Sequence, residues 1–331
     1  MLRLSVLDQS PAVAGRGEDT SIRDTLALAE HCEALGYHRF WLSEHHGLPT
    51  IVGSAPEILM AAVAARTSRI RIGSAGVMLP HYSALKVAEQ FRVLEALAPG
   101  RIDLGVGRAP GGDMRIAQAL NPNAYHAAER FPEQVVDLQG WTALDTYHGI
   151  TAHPRGPHAP EVWMLGSSDY GAQLAAHLGL PYAFAYFFTD GQGAEQALAL
   201  YRENYRPSER HPRPQATLCV WALAADTAEA AWHASLSREH WRMGRMRGRL
   251  EPLQDPDAIA AQGFPDEDSA ALQAMRAKAF VGDAGQVAGK LRALATAFEL
   301  DELVINSWSF DPAVRRRSYA LLADAFALER A

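Results

Sequence analysis

Short apolar runs alternate with longer segments of helical periodicity along the chain. The runs are rich in β-branched and aromatic residues, which is typical of strands, whereas the segments between them repeat apolar residues every three or four positions. This alternation predicts βα units built around a parallel sheet. Eight strands are predicted, at residues 2–8, 39–44, 70–77, 101–107, 162–165, 182–187, 216–223 and 302–306.

A helix is predicted after each strand. Six of them have clear limits in the sequence, at residues 21–35, 56–66, 84–97, 131–146, 169–178 and 194–204. Eight strands with eight helices is the count of a (β/α)8 TIM barrel, an α/β fold. The alternative is a doubly wound open sheet, which would need fewer units and a point where the strand order reverses.

Two segments interrupt this rhythm. Residues 148–160 are rich in proline and glycine and predict a surface loop before the fifth strand. Residues from about 242 to 281 form an insertion between the seventh helix and the last βα unit, where we expect a lid. Its arginines are interpreted as a solvated face rather than an anion site. We expect residues 1–331 to form one domain.

Composition removes several classes of function. The 331 residues are 48% hydrophobic and carry a net charge of −7, so no basic surface favours nucleic acid or an anionic membrane. The two cysteines, Cys32 and Cys219, form no disulfide framework, which fits a reducing compartment. The N-terminus is too polar for a signal peptide, and no apolar run reaches the roughly 18 residues of a membrane span. A cytoplasmic protein is expected.

Two adjacent histidines, His45 and His46, follow the second strand. Catalytic groups of a TIM barrel lie at the C-terminal ends of its strands. Neighbouring residues on a strand end point to opposite sides, so the pair cannot easily bind one metal, and no metal site is predicted. One imidazole should face the barrel mouth and exchange protons near neutral pH. A purely structural role for both is the alternative.

Small residues close the third strand, where Ser74, Ala75 and Gly76 follow one another. Such residues let a flat group approach the backbone, and tight packing at the barrel top is the alternative. After the fourth strand comes a glycine-rich run containing Arg108. It is neither a GxGxxG motif nor directly followed by a helix, which excludes a Rossmann dinucleotide site.

Arg108 offers a planar set of donors suited to a phosphate, although Asp103 or Asp113 could instead pair with it. Gly166, Ser167 and Ser168 follow the fifth strand and lead straight into a helix. Serines there are ordinary N-caps, but the same geometry also binds phosphate. Because Arg108 ends the neighbouring strand, the sequence predicts an anion site between them.

Taken together, these segments resemble the bacterial luciferase-like flavin monooxygenase family, in its alkanal monooxygenase-type branch. The resemblance continues over the strand order to the end of the chain. The motifs that carry it are LDQSP at 7–11, SEHH at 43–46, GSAGVMLPHYSALKVAEQFRVLEAL at 73–97 and PGRIDLGVGRAPGG at 99–112.

The resemblance implies roles for individual residues. His45 matches the family's catalytic histidine, which serves oxygen chemistry and its proton transfers. Ala75–Gly76 matches a non-proline cis peptide beside the flavin ring, and Arg108 matches the phosphate-binding arginine. The implied cofactor-binding residues are Ser74, Ala75, Gly76, Arg108, Gly166, Ser167 and Ser168. Gly107 stands where luciferase carries a cysteine, while Ser167 replaces an acidic residue and Gly171 a threonine, so the flavin contacts should differ slightly.

The implied function is a two-component monooxygenase. A separate reductase would supply reduced FMN, and the chain would use it with O₂ to oxidise an aldehyde or another small organic molecule. The alternatives are an F420-dependent hydride-transfer enzyme on the same barrel and a non-catalytic flavin-binding protein. Members of the family are commonly homodimers, and the helix near residues 54–66 has small apolar residues that fit either a dimer contact or an internal face.

Overall fold

Nine parallel strands form the sheet of the protein. The computed structural model describes residues 2–109, 113–143 and 146–330. Each strand from β1 to β6 pairs with the next, and the β6–β7, β7–β9 and β9–β1 pairings close eight strands into a barrel. This confirms the (β/α)8 TIM barrel. The strands are β1 (Arg3–Asp8), β2 (Arg39–Leu42), β3 (Arg71–Met78), β4 (Ile102–Gly107), β5 (Glu161–Gly166), β6 (Tyr182–Phe184), β7 (Ala216–Ala225), β8 (Phe280–Asp283) and β9 (Glu302–Asn306).

The strand β8 lies outside the barrel and was not predicted. β7 is ten residues long, and its last four pair with β8, from Ala222 opposite Phe280 to Ala225 opposite Asp283. A run of only four residues next to a helical pattern cannot be told from a helix end by periodicity, which explains the omission. The strand belongs to the predicted insertion and anchors it to the barrel.

Helices surround the barrel and cover its C-terminal end. They are α1 (Glu18–Ala34), α2 (Pro56–Ala64), α3 (Ala84–Leu97), α4 (Met114–Leu120), α5 (Ala124–Glu129), α6 (Phe131–Ala143), α7 (Asp169–Leu178), α8 (Tyr186–Thr189), α9 (Ala194–Glu203), α10 (Ala228–Met246), α11 (Pro256–Gln262), α12 (Ser269–Ala277), α13 (Ala284–Ala297) and α14 (Pro312–Ala325). Around the outside α1 packs against α2 and α14, α2 against α3, α3 against α6, and α7 against α9. Among the helices just given, none is both long enough and apolar enough to cross a membrane.

Local sequence signals set several helix limits. Pro56 occupies the first turn of α2, where its missing amide hydrogen leaves no bond unmade. The Ser83 side chain caps α3, and Asp283 forms a capping box with Gln286 at the start of α13. The helix α7 ends at Gly179, whose φ of 62° is left-handed and favours glycine.

Alternation along the strands separates two cores. On β7, Leu218, Val220 and Ala222 face the helices and join the main apolar core, whereas Cys219 and Trp221 face inward. Inside the barrel, a layer of large side chains fills the middle, formed by Leu7, Trp41, Trp163, Ala183, Cys219 and Val304. This apolar layer separates the two ends of the barrel, and in TIM barrels the catalytic groups lie at the C-terminal end.

Candidate functional site at the C-terminal end of the barrel

The two histidines that follow β2 lie in different environments, as expected. Glu44 is 2% exposed, and its carboxylate accepts hydrogen bonds from the Met78 amide at 3.0 Å and from the Tyr82 hydroxyl at 2.6 Å. His46 Nε2 lies 2.7 Å from the same carboxylate. Glu44 and His46 therefore fasten this loop to the end of β3.

His45 has a different environment. Its Nδ1 lies 3.2 Å from Ser43 Oγ, and its amide donates to the carbonyl of Gly53 at 3.0 Å. Burial lowers the pKa of His45 to about 4, against the opposing influence of Glu44, so the imidazole is neutral at pH 7. Since Ser43 occupies Nδ1, Nε2 is the nitrogen available to a ligand.

The end of β3 is packed tightly against β4 and β5. Ser74 is fully buried and donates to the Gly105 carbonyl at 2.8 Å. The peptide bond between Ala75 and Gly76 is cis, where the resemblance placed it. A Cβ on Gly76 would lie 2.4 Å from Leu165 Cδ1 and 2.7 Å from the Gly105 carbonyl oxygen, so this position accepts only glycine without rearrangement.

Arg108 is exposed at the end of β4 and stacks on Tyr170, with Cζ 4.0 Å from the ring centroid. The alternative carboxylate partners lie elsewhere. Asp103 is held by Arg39 and Arg71 at the N-terminal end of the barrel, and Asp113 pairs with Arg115. The residues 110–112 of the glycine-rich run lie outside the described part of the chain. Within the part of the chain that the structure describes, no carboxylate pairs with Arg108, so its guanidinium can bind an anion.

Gly166, Ser167 and Ser168 join β5 to α7, and Tyr170 lies in the first turn of that helix. The structure therefore brings Arg108 and the α7 N-terminus together, as the sequence predicted. Ser168 occupies the N-cap position, but its side chain makes no capping bond, so the ordinary structural role fails for this hydroxyl. The Ser168 carbonyl accepts a hydrogen bond from Tyr182 at 3.2 Å, which fixes the turn.

Sequence reasoning missed a second set of polar groups on the other side of the mouth. Within the described ranges, several buried side-chain atoms there have no hydrogen-bond partner: Trp221 Nε1, Trp241 Nε1, Trp308 Nε1, Asn306 Oδ1 and Ser307 Oγ. The run Asn306-Ser307-Trp308-Ser309 directly after β9 was a usable signal, because polar residues at a barrel strand end are typical of an active site. Buried polar atoms without partners indicate a place for a ligand or water.

The chain beyond α10 covers this side. Leu253 exchanges backbone hydrogen bonds of 2.9 Å with Ala12 and Ala14 in the loop after β1. Its side chain packs with Ile51, Trp308 and Trp241 in a small apolar cluster. The first part of the predicted insertion is therefore tied to the loops of β1 and β2 at the mouth, where a lid was expected.

Comparisons with known proteins place the chain in a family. The chain is 37% identical to a luciferase-like monooxygenase of Escherichia coli strain K12, over 98% of this chain and 96% of that protein. It is 35% identical to the N-acetyl-S-alkylcysteine monooxygenase of Bacillus subtilis, over 98% of both. The crystal structure of apo-MsnO8 superposes with a TM-score of 0.94 at 36% identity and covers 100% of both chains.

Two more distant structures share the fold. The oxygenating constituent of 3,6-diketocamphane monooxygenase of Pseudomonas putida, in complex with FMN, has a TM-score of 0.72 at 18% identity and covers 98% of this chain and 97% of its own. An F420-dependent secondary alcohol dehydrogenase has a TM-score of 0.63 at 14% identity and covers 99% of both chains. The family model described as luciferase-like monooxygenase matches residues 2–298. The chain belongs to the luciferase-like monooxygenase family.

Proposed function

We propose that this protein is an FMN-dependent monooxygenase. It takes reduced FMN from a separate reductase and uses O₂ to oxidise an aldehyde or another small organic molecule. The observation that carries the proposal is the convergence of Arg108 with the start of α7, together with the neutral imidazole of His45 after β2. Arg108 and the start of α7 suit the phosphate of a flavin, and the imidazole of His45 suits proton transfer at the flavin ring.

The residues fit such a cofactor. Arg108 with the hydroxyls of Ser167 and Ser168 would hold the phosphate, since the guanidinium and the helix start both favour an anion. Gly107 borders open space among the described residues, because a Cβ there would meet none of their atoms within 4 Å. Ser74, Ala75, Gly76 and Gly166 would supply the backbone surface against which the flat ring lies.

The bound reduced flavin would supply the electrons that activate oxygen. The protein would hold the reacting groups in place and control proton transfer. Ser43 holds the His45 ring, and the low pKa keeps that ring neutral, so Nε2 can accept or donate a hydrogen bond without adding charge to the mouth. The apolar layer below, with Trp41 and Trp163, closes the barrel to water from the other end.

The test is a stopped-flow experiment. The purified chain is mixed with photoreduced FMN and then with oxygenated buffer, and the absorbance of oxidised flavin is followed. We expect reoxidation delayed to seconds or longer relative to free flavin, and a shorter delay in His45→Ala. Reoxidation at the rate of free flavin in the parent protein would refute the proposal.

F420 is the second candidate cofactor, because the F420-dependent dehydrogenase shares the fold and its cofactor also carries phosphate. A deazaflavin lacks the ring nitrogen that supports oxygen activation. Equilibrium binding of FMN and F420 to the same sample separates the two, and tighter binding of F420 would favour hydride transfer. Binding of FMN with no delay in reoxidation would favour a non-catalytic flavin carrier.

The substrate class stays broad in this proposal. The related Bacillus subtilis protein is named for N-acetyl-S-alkylcysteine, so the substrates of proteins similar in sequence to this chain include more than aldehydes. Only the pocket walls can narrow the choice, because the flavin carries the same oxygen chemistry for each substrate.

We also propose that the protein is a homodimer through α2 and α3. These helices pack together, and Ile58 on the first is 66% exposed, with Val93 and Leu97 exposed on the second. Leu59 faces inward instead, so the helix has both an internal face and an external one. Light scattering should give the mass of two chains, and Ile58→Glu should reduce it toward one.

A further inference from the structure

One face of α10 carries a cluster of cations at the barrel mouth. Arg238, Arg242 and Arg245 lie four and three residues apart, so they share a side of the helix. Arg242 forms a bidentate pair with Asp190, at 2.7 Å and 2.6 Å. Arg245 lies over the Phe188 ring, with Cζ 4.7 Å from its centroid.

Among the described residues, Arg242 is the one member of this cluster paired with a carboxylate, and Arg238 is the unpaired member that lies against the inward-facing Trp221. Its Cζ lies 4.0 Å above the centroid of Trp221, the last inward-facing aromatic of β7. In the described chain it donates no hydrogen bond and makes no ion pair. Burial and the like charge of Arg242 both lower its pKa, against weaker attraction from Asp190 and Glu239. The structure therefore holds a guanidinium whose charge is poorly compensated, and a bound anion would compensate it.

A small cavity of about 20 Å³ adjoins this arginine. The charged groups that line it are Asp190, Arg238, Arg242 and Lys278, three cations against one carboxylate that Arg242 already occupies. Trp221 also lines it, is 5% exposed, and has a buried Nε1 with no partner. This volume corresponds to about one water molecule, so the cavity admits one oxygen of a charged head group rather than a whole substrate.

Phe187 lies between the cavity and the barrel interior. It packs against the cluster of Trp221 on one side and against the interior cluster on the other, where Ala75 and Leu165 also lie. An apolar body attached to the head group would follow Phe187 toward Ala75. That path ends where the flavin ring is proposed to lie.

We propose that Arg238 and Trp221 form a subsite for the carboxylate of a small organic acid, and that this subsite makes the enzyme select anionic over neutral substrates. The proposal rests on the proposed function, which it deepens by naming a substrate class. The guanidinium presents parallel donors that match a carboxylate, and Trp221 Nε1 adds a neutral donor. Arg238 is a specificity-determining residue here, and His45 remains the group at the reacting atoms.

The experiment is a calorimetric titration of the full-length protein, with and without oxidised FMN. The probes are octanoate and octanamide, which share an alkyl chain and differ in charge. We expect octanoate to bind about tenfold or more tightly than octanamide, as for a charge-assisted hydrogen bond. In Arg238→Gln the two should bind equally, while Arg238→Lys should keep part of the preference.

A matched control removes the same charge elsewhere. Arg23→Gln alters an exposed arginine on α1 and should leave the octanoate preference unchanged. Trp221→Phe keeps the ring but removes the N–H, and we expect it to lower the preference severalfold. This second variant carries the test if Arg238→Gln does not fold.

Several results would overturn the subsite. They are no binding of octanoate, equal binding of both probes to the parent protein, or an equal loss for both in Arg238→Gln. Weaker FMN binding in Arg238→Gln with an unchanged probe preference would assign the arginine to the flavin instead. No outcome depends on oxygen chemistry, so the stopped-flow test and this titration fail independently.

Discussion

The two ends of the barrel each stack an arginine on a tryptophan, and they treat its charge differently. At the N-terminal end, Arg39 lies 4.8 Å above Trp163 and bonds Asp103, Glu161 and Glu302 at 2.8 to 3.0 Å. Burial alone would lower its pKa, but the three carboxylates raise it well above the usual value.

At the C-terminal end, Arg238 lies 4.0 Å above Trp221 with no carboxylate bound, and its pKa is lowered. At the N-terminal end, the completed end, the protein's own carboxylates compensate the charge of the arginine and so stabilise the fold. At the C-terminal end, the incomplete end, the charge of Arg238 has no such partner, and the anionic group of a ligand would compensate it. In TIM barrels generally, residues at the N-terminal end of the barrel serve stability, and residues at the C-terminal end carry the chemistry.

Cavity size does not identify the functional end. A cavity of about 640 Å³ lies at the N-terminal end, lined by Arg39, Arg71, Glu161 and Glu302 among others. The cavity beside Arg238 has about 20 Å³. In the larger space Arg39 and Arg71 are already paired with carboxylates, so the state of these polar groups is a better guide than volume.

The largest effect expected is on stability, from breaking the completed end. Arg39→Met removes the guanidinium and leaves three carboxylates, two of them almost fully buried, without their main partner. Removing one partner of a buried ion pair destabilises proteins by about 3–5 kcal/mol. Urea denaturation followed by circular dichroism measures the loss. Arg23→Met, at an exposed pair, should change stability by less than about 1 kcal/mol, and similar losses for both variants would contradict the comparison.

The next effect is on the incomplete end, where charge should serve binding rather than folding. Arg108→Gln should weaken FMN binding about 10- to 100-fold, the worth of a charge-assisted bond to phosphate. Its unfolding free energy should stay near that of the parent because the side chain is exposed. Flavin fluorescence titration measures the affinity, with Arg115→Gln on α4 as the control. An unchanged affinity in Arg108→Gln would remove this residue from the phosphate site.

Two glycines of the single strand β4 sharpen the comparison further. A Cβ on Gly105 would lie 2.2 Å from the Ser74 carbonyl oxygen, whereas one on Gly107 would meet no atom within 4 Å. Gly105→Ala should therefore destabilise the protein by about 1–3 kcal/mol. Gly107→Ala should change stability by less than about 0.5 kcal/mol yet weaken the binding of the flavin. Thermal unfolding with and without FMN distinguishes them, and equal effects on stability would show that the space above Gly107 is not open.

The sequence predicted the barrel well because its signals are local. Short buried strands between amphipathic helices are visible in periodicity, and the predicted span 302–306 matches β9. Arg108 and Ser168 could be paired because strand ends in a barrel lie beside one another. The resemblance, rather than any spacing, supplied the cis peptide at Ala75–Gly76.

The face of α10 could not be predicted in the same way. Arg242 was assigned to a solvated surface, but it is paired with Asp190, which lies 52 residues earlier in the chain. Among the described residues Arg238 has no carboxylate partner, since Asp190 pairs with Arg242 instead. Charge compensation depends on such long-range contacts, and an arginine in a helical pattern has the same appearance in sequence whether or not it is paired.

The smallest effect expected concerns pH and His45. Burial lowers the pKa of His45 to about 4 in the folded protein, below its ordinary value of about 6.5. Between these values the unfolded chain takes up a proton that the folded chain excludes, so stability falls as the pH is lowered from about 6.5 toward 4. His45→Asn should make this fall shallower, by about 1.5 kcal/mol between pH 6.5 and 5, in denaturation curves at each pH. His158→Asn, which alters an exposed histidine, should keep the slope of the parent. Equal slopes in all three proteins would show that His45 is charged in the mouth, and the proton chemistry assigned to its neutral ring would fail with it.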